Sequence, residues 1–99
     1  MPRARRELED LQLVFRALAH PSRRHILQVI EFRGGRMTAG EIAARFSCSW
    51  PTTTRHLRIL RSAGLVLLEK RGRVRAYSLA RSRLRKIVGG WLDVFARKP

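Results

Sequence analysis

A chain of 99 residues, 44% of them apolar, suits one small folded domain and is too apolar for disorder. Against 7 acidic residues stand 22 lysines and arginines, a net charge of +15, which favours a polyanionic partner through its field and through counterion release. A single cysteine, Cys48, excludes an intramolecular disulfide and a cysteine-rich metal cluster.

Nucleic acid is the leading partner and an anionic membrane surface the second. The cations are mostly arginines, whose forks suit phosphates and guanine edges. No apolar run approaches a membrane span. The basic start, MPRARRELED, has no apolar stretch behind it and does not read as a signal peptide. A cytoplasmic protein is the default expectation. A core this small is marginal, and a second copy would help it.

In chain order, Leu8, Leu11, Val14, Phe15 and Leu18 predict a first helix over about 7–19. Glu7, Glu9 and Asp10 would sit in its first turn, at the positive dipole end. Pro21 suits the first position of a second helix that buries Ile26, Leu27, Val29 and Ile30. Gly34 and Gly35 end it. Thr38-Ala39-Gly40-Glu41 is a capping box before a short helix burying Ile42, Ala43 and Phe46. Ser47-Cys48-Ser49 reads as a tight turn. Ser49 caps a further helix with Pro51 in its first turn, and Gly64 stops it.

Residues 65–71 and 74–79 alternate as two strands joined by a Gly72-Arg73 turn of the Gly-X type. A last helix over about 81–96 carries Leu84, Ile87, Val88, Trp91, Leu92 and Phe95 as one continuous stripe. The expected fold is one domain over residues 1–99, mainly α with a small β-hairpin, in the order ααααββα.

Two short helices joined by a tight turn form a helix-turn-helix over about 38–63. In the second of them Thr53, Leu57 and Leu60 share an inward face, flanked by His56. The outward face carries Pro51, Arg55, Arg58 and Ser62, with Thr52 and Thr54 to its sides. A front of short hydroxyls and cations lets a helix approach a groove floor and bond to bases or phosphates. A solvated polar face would look similar, but the hairpin adds weight. Lys70, Arg71, Arg73 and Arg75 crowd its tip with only Glu69 near. Like charges opposed on a sheet repel unless an anion compensates them.

Trp50 either packs on its own hairpin and helix neighbours or touches a sugar or thymine methyl. Cys48 is either a small apolar plug or an oxidisable thiol without a resolving partner. His20 caps or flanks the second helix, and His56 is a half-buried packing residue. His20, His25 and His56 lack the spacing and supporting carboxylates of a metal site. Gly89 and Gly90 cost about 1 kcal/mol each inside a helix, which a close helix–helix approach would justify. Leu8, Leu11, Phe15, Leu84, Ile87, Val88, Trp91, Leu92 and Phe95 are therefore expected at a two-fold dimer interface. That dimer would set two reading helices about 34 Å apart on a pseudo-palindrome.

The stretches FRALAHPSRRHIL, MTAGEIAARF, SWPTTTRHLRILRSAGLV and RGRVRAYSL, within about 13–95, together resemble the ArsR-type winged helix-turn-helix repressors of bacteria. The resemblance implies a homodimeric operator-binding repressor, often controlling its own gene. It implies that Trp50, Thr52, Thr54 and Arg55 lie on the reading helix. Thr53 stands where the family is usually apolar. Metal sensing does not carry over: residues 38–46 hold no cysteine or histidine, and the last helix offers only Asp93. The metal-independent branch fits, with no cofactor. Alternatives are a repressor that responds to a thiol change at Cys48 or to a ligand, and a winged helix that binds RNA or protein. No paired carboxylates, nucleophile–base set or glycine-rich phosphate loop suggests an enzyme.

Overall fold

A proline at the first helical position sets where two of the helices begin. In the computed structural model, which describes residues 2–46 and 49–96, the first helix, α1, runs Pro2–Leu18 and the second, α2, Pro21–Phe32. α1 thus starts five residues before its expected beginning, because Pro2 fits that first position and the alanine and arginines behind it are good helix formers. The acids expected in its first turn lie further along, and Asp10 instead meets Arg83 at 3.5 Å. α2 is capped by His20, whose Nδ1 accepts the Ser22 N–H at 3.1 Å. It closes with the Gly35 N–H on the Ile30 carbonyl at 2.8 Å and the Gly34 N–H on the Glu31 carbonyl at 3.1 Å.

The chain then forms a strand that the sequence did not signal, β1 (Arg36–Thr38). Three residues are too few to show an alternation. The strand exists because the glycine turn lays it beside β3: Met37 pairs with Tyr77, and the Leu79 N–H reaches the Gly35 carbonyl at 2.8 Å. The expected order ααααββα therefore becomes ααβααββα.

α3 (Ala39–Arg45) follows the capping box as expected. The Glu41 N–H donates to the Thr38 hydroxyl at 3.1 Å and the Thr38 N–H to the Glu41 carboxylate at 2.9 Å. The Thr38 backbone N–H, and after it the Thr38 hydroxyl, hold the Glu41 carboxyl below its ordinary pKa. Ile42 is buried, while Ala43 and Phe46 are half-buried. The tight turn around Cys48 lies outside the described residues. α4 (Trp50–Ser62) begins at Ser49, whose hydroxyl accepts the Thr52 N–H at 3.3 Å. At its other end Gly64 takes φ +75°, which a side chain would oppose, and the Leu65 N–H closes on the Leu60 carbonyl at 3.0 Å.

β2 (Val66–Arg71) and β3 (Val74–Leu79) pair antiparallel, with Lys70 opposite Arg75 and Arg71 opposite Val74. Gly72 alone takes positive φ in the turn, as the Gly-X type requires. The sheet order is β1-β3-β2. Val14, Ile26, Ile30, Ile42, Leu57, Leu60, Leu65 and Val66 form the core between the helices and the sheet base. Each such side chain contributes about 1.5–3 kcal/mol by leaving water.

The last helix departs from expectation. α5 (Arg81–Leu84) opens into a π-helical turn, Arg85–Gly89, before α6 (Gly90–Ala96) resumes. Gly89 and Gly90 do little to hold α geometry, and the extra residue in the wide turn shifts the phase of the stripe. Leu84, Ile87 and Val88 stay on the chain's own core, whereas Trp91, Leu92 and Phe95 turn outward, 43%, 54% and 70% exposed. Among the described residues no neighbour presses on either glycine. Among the described residues no helix is long and apolar enough to cross a membrane.

Candidate nucleic-acid interface

The alternation of inward and outward residues on α4 is that of a helix seated on a core. Thr53, His56, Leu57 and Leu60 are buried; Trp50, Pro51, Thr52, Arg55, Arg58 and Ser62 are exposed and Thr54 is half-exposed. Thr53 pays for its unusual identity, because its hydroxyl is buried without a hydrogen-bond partner among the described residues. His56 is more deeply placed than the half-buried expectation. Burial, then the nearby His20, Arg23 and Arg55, hold its imidazole below the ordinary pKa.

Two concavities border α4, one of them shared with the wing. One, of about 510 Å³, runs between them and is lined by Thr38, Ala39, Gly40, Trp50, Thr54, Arg73, Val74 and Arg75. The other, of about 570 Å³, lies along the helix and is lined by Trp50, Pro51, Thr54, Arg55 and Arg58. Trp50 stands at the seam of both, beside the hairpin, with more than half its surface exposed. Arg71 lies apart, in a third hollow with Arg36, Thr38 and Glu41. Lys70 is exposed on the strand opposite Arg75 and lines none of these hollows. Val74, exposed at the wing, and the Thr38–Gly40 edge were missed by sequence reasoning. The register Arg71↔Val74 was a signal for the first; the second comes beside the wing only through the fold.

Among the described residues four acids are held by arginines outside α4 and the wing. Glu31 holds Arg81 at 2.6 Å, Glu41 meets Arg33 at 3.4 Å and Asp10 meets Arg83 at 3.5 Å. Glu69, the one acid beside the hairpin tip, is taken by Arg36 at 3.3 Å and by the Ser78 hydroxyl at 3.4 Å. Among the described residues, Arg55, Arg58, Lys70, Arg71, Arg73 and Arg75 have no carboxylate partner. Nor do three or more His, Cys, Asp or Glu side chains come together there as a metal site.

The residues expected at a dimer interface divide. Leu84, Ile87 and Val88 rest against the chain's own core, and Phe15 packs edge-on to Trp91 at 5.2 Å, which in turn meets Phe95 at 5.0 Å. Leu8 and Leu92 are exposed and Leu11 half-buried.

Residues 18–69 match a family described as a helix-turn-helix domain. The transcriptional repressor SdpR of Bacillus subtilis (strain 168) is 38% identical over 85 residues, covering 86% of this chain and 91% of that protein. An ArsR-like transcriptional regulator from Rhodococcus sp. RHA1 superposes with a TM-score of 0.76 at 28% identity, over 90% of this chain and 82% of that one. The homodimeric winged helix-turn-helix DNA-binding domain of a possible ArsR-family regulator from Mycobacterium bovis superposes with a TM-score of 0.77 at 24% identity, over 95% and 86%, a likeness of fold.

Proposed function

The chain belongs to the ArsR family of winged helix-turn-helix transcriptional repressors, and from that premise we propose that it is a homodimeric, metal-independent transcriptional repressor that binds double-stranded DNA sequence-specifically. α4 enters the major groove. Its threonines let the backbone come close, and Arg55 and Arg58 reach base edges and phosphates. The wing lies on the flank, with Arg73 and Arg75 on the backbone or in the narrow minor groove and Lys70 and Arg71 further out. Trp50, at the seam, meets sugar or a thymine methyl.

The observation that carries this proposal is the row of cations along α4 and the wing that, among the described residues, has no carboxylate partner. An anion must supply what the chain does not. DNA is favoured over RNA because a lone helix with a short, cationic front fits a B-form major groove and not the deep, narrow one of an A-form duplex. The exposed part of the terminal stripe, with Leu8, Leu11, Trp91, Leu92 and Phe95, supports pairing of α1 and α6 with those of a second copy, with Phe15 beneath. The operator would then be pseudo-palindromic, and the protein would act in the cytoplasm, on the nucleoid. The lack of cysteine and histidine in residues 38–46 supports a repressor without a metal.

The test is selection from a random duplex pool at physiological salt, with light scattering for the assembly state. A two-fold motif bound by a dimer is expected. A stable monomer, or no enrichment over bulk RNA and DNA, would overturn the proposal.

A further inference from the structure

Three helices meet where α1 ends, and one arginine joins them. The last carbonyls of a helix lack helical partners. Arg23, from α2, supplies two: its Nε donates to the Ala17 carbonyl at 2.7 Å and its Nη2 to the Arg16 carbonyl at 3.1 Å. Its remaining nitrogen, Nη1, stands 3.4 Å from Nδ1 of His56 in α4. A guanidinium only donates, so His56 must offer a bare Nδ1 and carry its proton on Nε2. The ring of His20 lies over it, centroids 4.6 Å apart and tilted by 55°. His20 is likewise committed through a bare Nδ1, to the Ser22 N–H that caps α2.

We propose that Arg23, His56 and His20 form a clamp that positions the reading helix against α1 and α2, and that acid opens it. Protonated His56 would turn an N–H toward Arg23 and set a second cation against the guanidinium, beneath the His20 ring. The charges bearing on His56 are His20 from the α1–α2 junction, Arg23 from α2 and Arg55 from its own helix. Among the described residues no carboxylate from α1, α3 or β2 offsets them. The folded state binds this proton less readily than the unfolded one, since burial and these cations lower the pKa. The clamp is therefore intact above about pH 6.5, the ordinary histidine value, and is lost as pH falls below it through the depressed folded value. Arg23, His56 and His20 are positioning residues; none lines the hollows along α4 and the wing.

The clamp rests on the DNA-binding proposal for its effect, and its sign is distinctive. Protonating a protein ordinarily tightens its grip on a polyanion. The clamp predicts the reverse. Anisotropy with the selected duplex, at constant ionic strength, compares about pH 7.5 with about pH 5.5. The affinity of the natural chain is expected to fall about tenfold. His56→Gln keeps an acceptor that does not titrate and should bind with little change between the two. His20→Ser keeps a good cap while removing the second ring, and should shift the acid loss to higher pH. An NMR titration of the histidines without DNA should show His56 protonating below the ordinary range. Unchanged or rising affinity in acid, or a full acid loss in His56→Gln, overturns the clamp. If His56→Gln does not fold, an unmoved midpoint in His20→Ser does so. If no duplex binds at any pH, the DNA proposal fails, and a His56 that titrates normally still removes the clamp on its own.

Discussion

Arg81, near the start of the last helix, grips the Glu31 carboxylate through Nε and Nη2, both at 2.6 Å, whereas Arg55 on α4 and Arg73 at the wing tip carry the same guanidinium with no carboxylate to hold. Arg23 and Arg24 resemble Arg81 in being satisfied within the chain, the latter donating to the Leu18 carbonyl at 2.6 Å. The difference separates two uses of one residue type. Where an arginine closes a helix end or meets an acid, its charge holds the domain together. Where it stands in a row of its own kind, the domain bears a repulsion that only an outside anion relieves.

The comparison can be broken from either side. Arg55→Ala should cost about 1–3 kcal/mol of DNA binding and relax the base preference, read by competition among duplexes that differ at single positions. Arg73→Ala should weaken all sequences nearly evenly and reduce the salt slope by about one, read from affinity against salt concentration. Identical behaviour of the two would erase the division between helix and wing. Thr53→Val removes the orphaned hydroxyl from beneath α4 and should stabilise the fold by about 1 kcal/mol in a denaturant melt, leaving base preference unchanged. Arg81→Ala should cost less than about 1 kcal/mol of stability, because both partners are half-exposed, and should leave the salt slope of DNA binding where it was. A slope that falls with Arg81→Ala would place that arginine among the DNA contacts and end the comparison.

Much of this molecule is legible along the chain. The capping box at Thr38, the cap at Ser49, the glycine stop at Gly64 and the Gly72-Arg73 turn are local devices, each settled by neighbours a few residues apart, and each stands as read. The inward set on α4 is legible too, since helical period alone puts Thr53, Leu57 and Leu60 together. What escaped was non-local or too short to carry a pattern. β1 is three residues held by a partner strand some forty residues away. The wide turn at Arg85–Gly89 depends on how the last helix lies across the core. Trp50 could not be placed until the wing was folded beside it.

Sequence by itself determined most of the helices and the hairpin, the caps and glycine stops that bound them, the cationic excess and the face of α4 that turns outward, because caps, turns and periodicity act over one or two helical turns. Only the tertiary structure decided which arginines meet acids and which do not, that Glu69 serves Arg36, and that His20 lies on His56 across 36 residues of chain. Those outcomes depend on distances between elements, and no local rule of backbone or side chain sets them.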